Sequence, residues 1–237
     1  MCIVVFIWQA HPLYPLFILQ NKDEYHNRPM KPVSWWEDCE ILGGTWLACS
    51  RGGRIALLTN VLELHTLPDA RSQGDLLVLF LETPKEFAKQ LVKEGHRYNG
   101  FNLVLADVSA KSMLYVSNRP KNEPIMVQEV SLGIHVLSNA KIDSHWHKCL
   151  ELSFKEELGK YGDRELPAKE MIEKLMRDRV TSKIVPAIHM HLIQNMYYKL
   201  IVYQTKKIVQ KGLRNTLSSK KANRQVQANN DHNVPCC

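Results

Sequence analysis

The chain has 237 residues, 45% of them hydrophobic, and a formal net charge of +7. This length and composition fit one globular domain with an appendage and argue against a chain that is disordered throughout. The six cysteines show no Cys-X-X-Cys and no zinc-finger spacing, which argues against a zinc module and indicates a reducing compartment. The first apolar run is too short for a signal peptide or a membrane span, so we expect a cytoplasmic protein.

The positive charge is concentrated at the C-terminal end. Residues 1–182 hold 22 Lys/Arg against 23 Asp/Glu, whereas residues 183–237 hold nine against one. This change of composition predicts a domain over residues 1–180 and a divergent basic tail over residues 181–237. Residues 218–233 are polar enough for us to expect disorder there.

Part of the basic tail has a helical pattern. Its apolar residues fall on one helical stripe surrounded by lysine and arginine, and the stripe consists of Ile188, Leu192, Met196, Leu200 and Ile208. A basic amphipathic helix binds anionic membrane surfaces, so we expect peripheral membrane contact through the tail. The alternative is a weakly structured basic extension. Nucleic-acid binding is not expected, because the tail lacks regularly interleaved aromatic residues.

The sequence before the tail predicts strands arranged in hairpins, with helices between and after them. Branched and aromatic residues bounded by turns predict strands at 3–7, 16–19, 45–49, 55–60, 101–107, 112–117 and 133–138. Helices are predicted near 74–81 and over 84–94, 145–158 and 167–179. Because the strands come in hairpins, we expect an α+β fold in which helices pack outside antiparallel sheets.

Cys2 is the most informative candidate for chemistry. Removal of Met1 would leave Cys2 as the first residue, and its α-amino group, with a reference pKa of about 7.7–8.0, could then act as the base for its own thiol. Asp23 ends the strand predicted to pair with the first and could fix that amine. Asn60 and Asn139 each end an apolar run, and their amides could donate to a developing oxyanion. The alternatives are that Cys2 is a small core residue and that the asparagines simply end strands.

Several short motifs then make a family recognisable. They are Met-Cys-Ile at the start, Asn21-Lys22-Asp23-Glu24-Tyr25, Gly43-Gly44-Thr45-Trp46-Leu47, Leu58-Thr59-Asn60, Tyr98-Asn99-Gly100-Phe101-Asn102-Leu103, Ser117-Asn118-Arg119 and Leu137-Ser138-Asn139-Ala140. Over residues 1–179 the chain resembles the transport and Golgi organisation protein 2 family, also called the NRDE family, as a plant-like member. The resemblance implies a role in Golgi organisation and protein secretion, association with the Golgi or mitochondria, and handling of haem or of an acyl-coenzyme A or other lipid ligand.

That family in turn resembles N-terminal-nucleophile hydrolases. The comparison implies an αββα sandwich of antiparallel sheets in which Cys2 is the nucleophile, Asp23 binds the amine, and Asn60 and Asn139 bind the oxyanion and substrate. Three functions therefore stay open: a ligand-handling protein, an active cysteine amidohydrolase or thioesterase, and an inactive truncated isoform.

Two departures from the family pattern bear on these alternatives. Lys22 replaces an arginine and loses bidentate geometry. No motif after Arg179 matches the family's last strands and arginine, so we expect a sandwich that is incomplete at the C-terminus. Because a helical tail cannot satisfy the backbone hydrogen bonds of an edge strand, we also expect this chain to be less stable than a full-length relative.

Overall fold

A computed structural model describes residues 2–23, 34–35, 46–61, 63–177, 196–204, 207–214 and 235–236. The strands are β1 Ile3–Trp8, β2 Leu16–Asp23, β3 Ser34–Trp35, β4 Leu47–Cys49, β5 Arg54–Asn60, β6 Phe101–Asp107, β7 Ser112–Ser117, β8 Met126–Glu129, β9 Gly133–Leu137, β10 Met196–Gln204, β11 Lys207–Arg214 and β12 Pro235–Cys236. The helices are α1 Asp75–Glu82, α2 Pro84–Glu94, α3 Lys148–Tyr161 and α4 Ala168–Arg177, with short 3₁₀ turns at Gly95–Arg97 and His145–His147.

The strands form two antiparallel sheets. One sheet has five strands in the order β11-β10-β2-β1-β9, and the other has seven in the order β3-β12-β4-β5-β6-β7-β8. The hairpins β1-β2, β4-β5 and β6-β7 join strands that are neighbours in sequence. Pairs such as β1-β9 and β5-β6 join strands that are separated by longer stretches of the chain.

Alternation along the strands creates four layers. On β1, Val4 and Phe6 point into a core between the two sheets, whereas Val5 and Ile7 pack in a second core with helices α3 and α4. The seven-stranded sheet alternates in the same way and packs its outer face against α1 and α2. Successive strand residues face opposite sides, so one apolar run serves two cores. The predicted α+β sandwich with helices outside is confirmed.

The strands predicted at 101–107 and 112–117 are confirmed at the same bounds. The helix predicted after Thr83 is confirmed as α2, with Pro84 at its first position. The Thr83 side chain precedes this helix but makes no capping hydrogen bond to it. Its hydroxyl instead donates to the Leu79 carbonyl at 3.1 Å, at the end of the preceding helix α1.

The helix predicted in the tail is wrong where the structure describes the tail. Met196 and Leu200 lie in β10 and Ile208 lies in β11, while Ile188 and Leu192 fall outside the described residues. Strand β10 pairs with β2 from Met196↔Asp23 to Tyr203↔Leu16. The run of aromatic and branched residues in β10 favours a strand, and the unpaired backbone groups of β2 gain partners from it. The edge of β2 that β1 does not pair with is therefore covered by β10.

Residues 178–195 and 218–233 also fall outside the described part of the chain, so the boundary near residue 180 and the disordered stretch stay predictions. Within the described residues, no helix has the length and apolar character needed to cross a membrane.

Candidate functional site

Cys2 lies at the start of an interior strand. It is 7% exposed, its sulfur is a thiol rather than half of a disulfide, and it continues the face of β1 that carries Val4 and Phe6 into the core between the sheets. Its strand is bordered by β2 on one side and β9 on the other. The registers Ile3↔Asn21 and Val4↔Leu137, continued to residue 2, set Cys2 level with Lys22 and Asn139. A buried thiol therefore lies between two polar strand ends.

Asp23 is the last residue of β2, one position beyond the residue level with Cys2. The backbone thus brings Asp23 to the same end of the sheet as Cys2. Its side chain lies outside the described part of the structure, so its role in fixing the amine stays a prediction.

Asn60 and Asn139 meet although they belong to different sheets. The Asn139 Nδ2 donates to the carbonyl oxygen of Asn60 at 2.5 Å. Asn60 itself is exposed at the end of β5, and Asn139 is half-buried in the turn after β9. A side-chain amide has two N–H groups, so one donor of Asn139 remains for a ligand. The Asn139 Oδ1 is buried and accepts no hydrogen bond from the described residues.

Sequence reasoning missed a buried polar network behind these asparagines. The Thr59 hydroxyl donates to the Ser138 carbonyl at 2.6 Å, which joins the ends of β5 and β9. The Asn102 Nδ2 donates to the Ala140 carbonyl at 3.1 Å, and the Tyr115 hydroxyl donates to Asn102 Oδ1 at 2.7 Å. These bonds hold the turn that carries Asn139 against the seven-stranded sheet. The available signal was a hydroxyl residue directly before each strand-ending asparagine.

Ser138 also belongs to a buried serine–histidine pair. Its Oγ lies 2.6 Å from His147 Nε2, and His147 Nδ1 lies 3.2 Å from Ser144 Oγ. Burial lowers the pKa of His147, an effect that the Asp143 charge partly opposes. The imidazole is therefore neutral at pH 7, and the pair positions the turn after β9 from the helix side.

His135 and Asp143 form a second pair beside β9. His135 Nδ1 lies 2.7 Å from Asp143 Oδ2, and its Nε2 lies 2.8 Å from the Ser131 carbonyl. Burial alone would lower the pKa of His135, but the hydrogen bond and charge of Asp143 outweigh it and raise that pKa above the ordinary 6.5. Burial would likewise raise the pKa of Asp143, yet its bonds to His135 and to the Val136 N–H bring that pKa below 3.8.

The described ranges contain no group of three or more His, Cys, Asp and Glu side chains arranged to hold a metal ion. Both buried histidines have each ring nitrogen within hydrogen-bonding distance of a protein group.

Comparison with known proteins gives one consistent result. The family model described as Transport and Golgi organisation 2 matches residues 1–225. A Transport and Golgi organization 2 homolog from Mus musculus is 33% identical over 210 residues, which cover 80% of this chain and 72% of the relative. Homologs of the same protein from Bos taurus and Homo sapiens are 34% and 36% identical over 198 and 169 residues, covering 74% and 62% of this chain and 70% and 60% of those relatives.

The family match continues beyond residue 179, where we expected the resemblance to stop, and it includes the residues of β10 and β11. The family's sequence pattern thus extends into the two strands that cover the edge of β2. On the family match and these identities, the chain belongs to the Transport and Golgi organisation 2 family.

Proposed function

We propose that this protein contributes to transport and Golgi organisation, the processes named in its relatives, by acting on an acyl compound held between the two sheets at Cys2. One observation carries the proposal. Cys2 is a buried thiol directly before the interior strand β1, and the register of β1 with β9, continued by two residues, sets it level with Asn139 in the turn after β9. A thiol beside a side-chain amide suits a ligand with a carbonyl group, because the thiolate can attack the carbonyl carbon and the amide can donate to its oxygen.

The chemistry begins with the removal of Met1. The freed α-amine of Cys2 accepts the thiol proton, and the thiolate attacks the carbonyl carbon of the ligand. The remaining N–H of Asn139 donates to the oxygen that gains negative charge. The leaving group departs with a proton from the amine, and water then cleaves the thioester formed on Cys2. Every proton and bond in this sequence is supplied by Cys2, the ligand and water.

The buried histidines of the described residues do not favour haem as the ligand. Ligation of haem iron by a histidine requires an imidazole nitrogen with an unused lone pair. His135 and His147 are the buried histidines of the described residues, and each already uses both ring nitrogens in contacts between 2.6 and 3.2 Å. Haem binding there would break contacts that hold the turn after β9.

The test combines intact mass spectrometry with acyl transfer. We expect protein made in cells to lack Met1, and we expect an activated acyl ester to add one acyl group to the wild-type chain. Cys2→Ala should abolish that mass increase. Cys49→Ala is the matched control, because Cys49 is also a buried thiol in the core between the sheets but lies on β4. Retention of Met1, or unchanged acylation of Cys2→Ala, would refute the hypothesis that Cys2 is the nucleophile.

A further inference from the structure

Gln20 carries a buried side-chain amide that has no partner among the described residues. The residue is 1% exposed, and neither its Nε2 nor its Oε1 makes a hydrogen bond within that part of the chain. Native proteins satisfy the large majority of buried polar side-chain atoms. An amide that leaves both its donor and its acceptor unused inside the core is therefore suited to a group that arrives from outside the chain.

The position of Gln20 directs this amide toward the Cys2 site. Leu16 and Ile18, on the same face of β2, pack in the core between the sheets, so Gln20 is the next residue on that face. It is opposite Val4 on β1. Cys2 is two residues before Val4, which makes Gln20 its diagonal cross-strand neighbour, and such neighbours lie about 7–8 Å apart.

A further unused polar atom lies on the other side of Cys2. The Asn139 Oδ1 is also buried and has no hydrogen-bond partner among the described residues, and the continued β1–β9 register sets Asn139, in the turn after β9, level with Cys2. The Cys2 site thus offers two acceptors that need a donor, Gln20 Oε1 and Asn139 Oδ1, and two amide nitrogens that can still donate, Gln20 Nε2 and Asn139 Nδ2. An ester or thioester carries no donor and would leave both acceptors unsatisfied. An amide presents an N–H beside a C=O and matches both kinds of atom.

We propose that Gln20, together with the Oδ1 of Asn139, recognises an amide group, so that the acyl compound of the Cys2 site is an N-acyl amide and not a thioester or ester. This inference rests on the proposed function. Gln20 is a specificity-determining residue in it, and attack at the amide carbonyl would release an amine and leave the acyl group on Cys2.

The test compares two matched ligands, N-butyl octanamide and butyl octanoate, on the full-length protein in the Cys2→Ala background, where turnover cannot occur. We expect the amide to bind about 10- to 100-fold more tightly than the ester, the range given by one to two satisfied hydrogen bonds. Gln20→Met keeps the length of the side chain without polar atoms, and we expect it to remove most of this preference.

A second measurement separates recognition from a structural role. Without ligand, Gln20→Met should melt at the same or a higher temperature, because it removes an unsatisfied buried group. Gln20→Leu provides a second apolar variant if Gln20→Met does not fold. Gln9→Leu is the matched control, since Gln9 has a buried, unpartnered Nε2 at the opposite end of β1, and its ligand preference should stay that of the wild type.

The outcomes separate the role of Gln20 in recognising an amide from the existence of an acyl site at Cys2. Equal binding of amide and ester by the parent protein, or an unchanged preference in both Gln20 variants, would overturn the role of Gln20 and leave the acyl site standing. A lower melting temperature of Gln20→Met, with its preference intact, would also overturn it. Binding of neither ligand would refute the acyl site itself and this inference with it.

Discussion

Replacing Tyr115 by phenylalanine tests the polar network behind the site. Tyr115 is 1% exposed on β7, and its hydroxyl donates to Asn102 Oδ1 at 2.7 Å. Asn102 is also 1% exposed, and its Nδ2 donates to the Ala140 carbonyl at 3.1 Å. The hydroxyl of Tyr115 thus orients the amide that joins the seven-stranded sheet to the turn carrying Asn139.

The cost of Tyr115→Phe follows from the atom it leaves behind. The ring and its packing remain, while Asn102 Oδ1 loses its donor. A buried polar atom left without a partner costs about 1–3 kcal/mol. In a chain of this size each kcal/mol lowers the melting temperature by about 2–4 °C, so we expect a decrease of about 2–12 °C.

Thermal unfolding of the full-length variants measures this decrease. Tyr161→Phe on α3 is the control, because the described residues give its hydroxyl no hydrogen bond, and it should melt like the wild type. Adding Asn102→Ala to Tyr115→Phe should cost less than Asn102→Ala alone, with a coupling of about 0.5–3 kcal/mol. An unchanged melting temperature in Tyr115→Phe, or strictly additive costs, would show that the network does not stabilise the fold.

Three further changes probe other parts of the structure. Asp143→Asn should lower the free energy of unfolding most at about pH 5.5 and least at about pH 9. The stabilisation from the raised pKa of His135 is full below about pH 6.5 and is lost as the pH rises through the folded-state pKa, whereas the stabilisation from the lowered pKa of Asp143 is lost only in acid. Urea unfolding that shows an equal effect of the substitution at both pH values would contradict this. Ile201→Pro should lower the melting temperature by removing a ladder N–H from β10, whereas Ile201→Val should not, and equal melting of the two would contradict the pairing with β2. Glu63→Gln should lower the free energy of unfolding by about 1.5–3 kcal/mol in chemical denaturation. Arg119 Nε and Nη2 donate to the Glu63 carboxylate at 2.5 and 2.6 Å, and both side chains are only 18% exposed. A change below about 0.5 kcal/mol, the size typical of a surface pair, would contradict the prediction.

Most strands could be predicted because their signal is local. The alternation over residues 3–7 and 101–107 and the proline at position 84 are properties of neighbouring residues, and the structure has β1, β6 and α2 there. β8 was missed because its four residues are mostly exposed and have no apolar face. The strand β10 was misread because its apolar residues also fit a helical stripe.

The candidate site shows the same division. The cysteine at position 2 and the asparagines after two apolar runs are visible in the chain, since each stands at a strand end. The Thr59–Ser138 contact and the Tyr115–Asn102 contact join elements 79 and 13 residues apart. The first contact follows from how the two sheets stack, and the second follows from the register of β6 with β7 within one sheet; a local pattern specifies neither.

The sequence by itself determined the layered α+β architecture, the thiol directly before the first strand and the polar ends of the strands around it. These features depend on side-chain alternation and on the residues that end strands, both of which act between near neighbours. The tertiary structure alone decided that β10 covers β2, that Asn60 meets Asn139, and that Gln20 is buried with no hydrogen-bond partner in the described part of the chain. Pairing and burial depend on which distant segment lies opposite a residue, and that choice is made only when the sheets assemble.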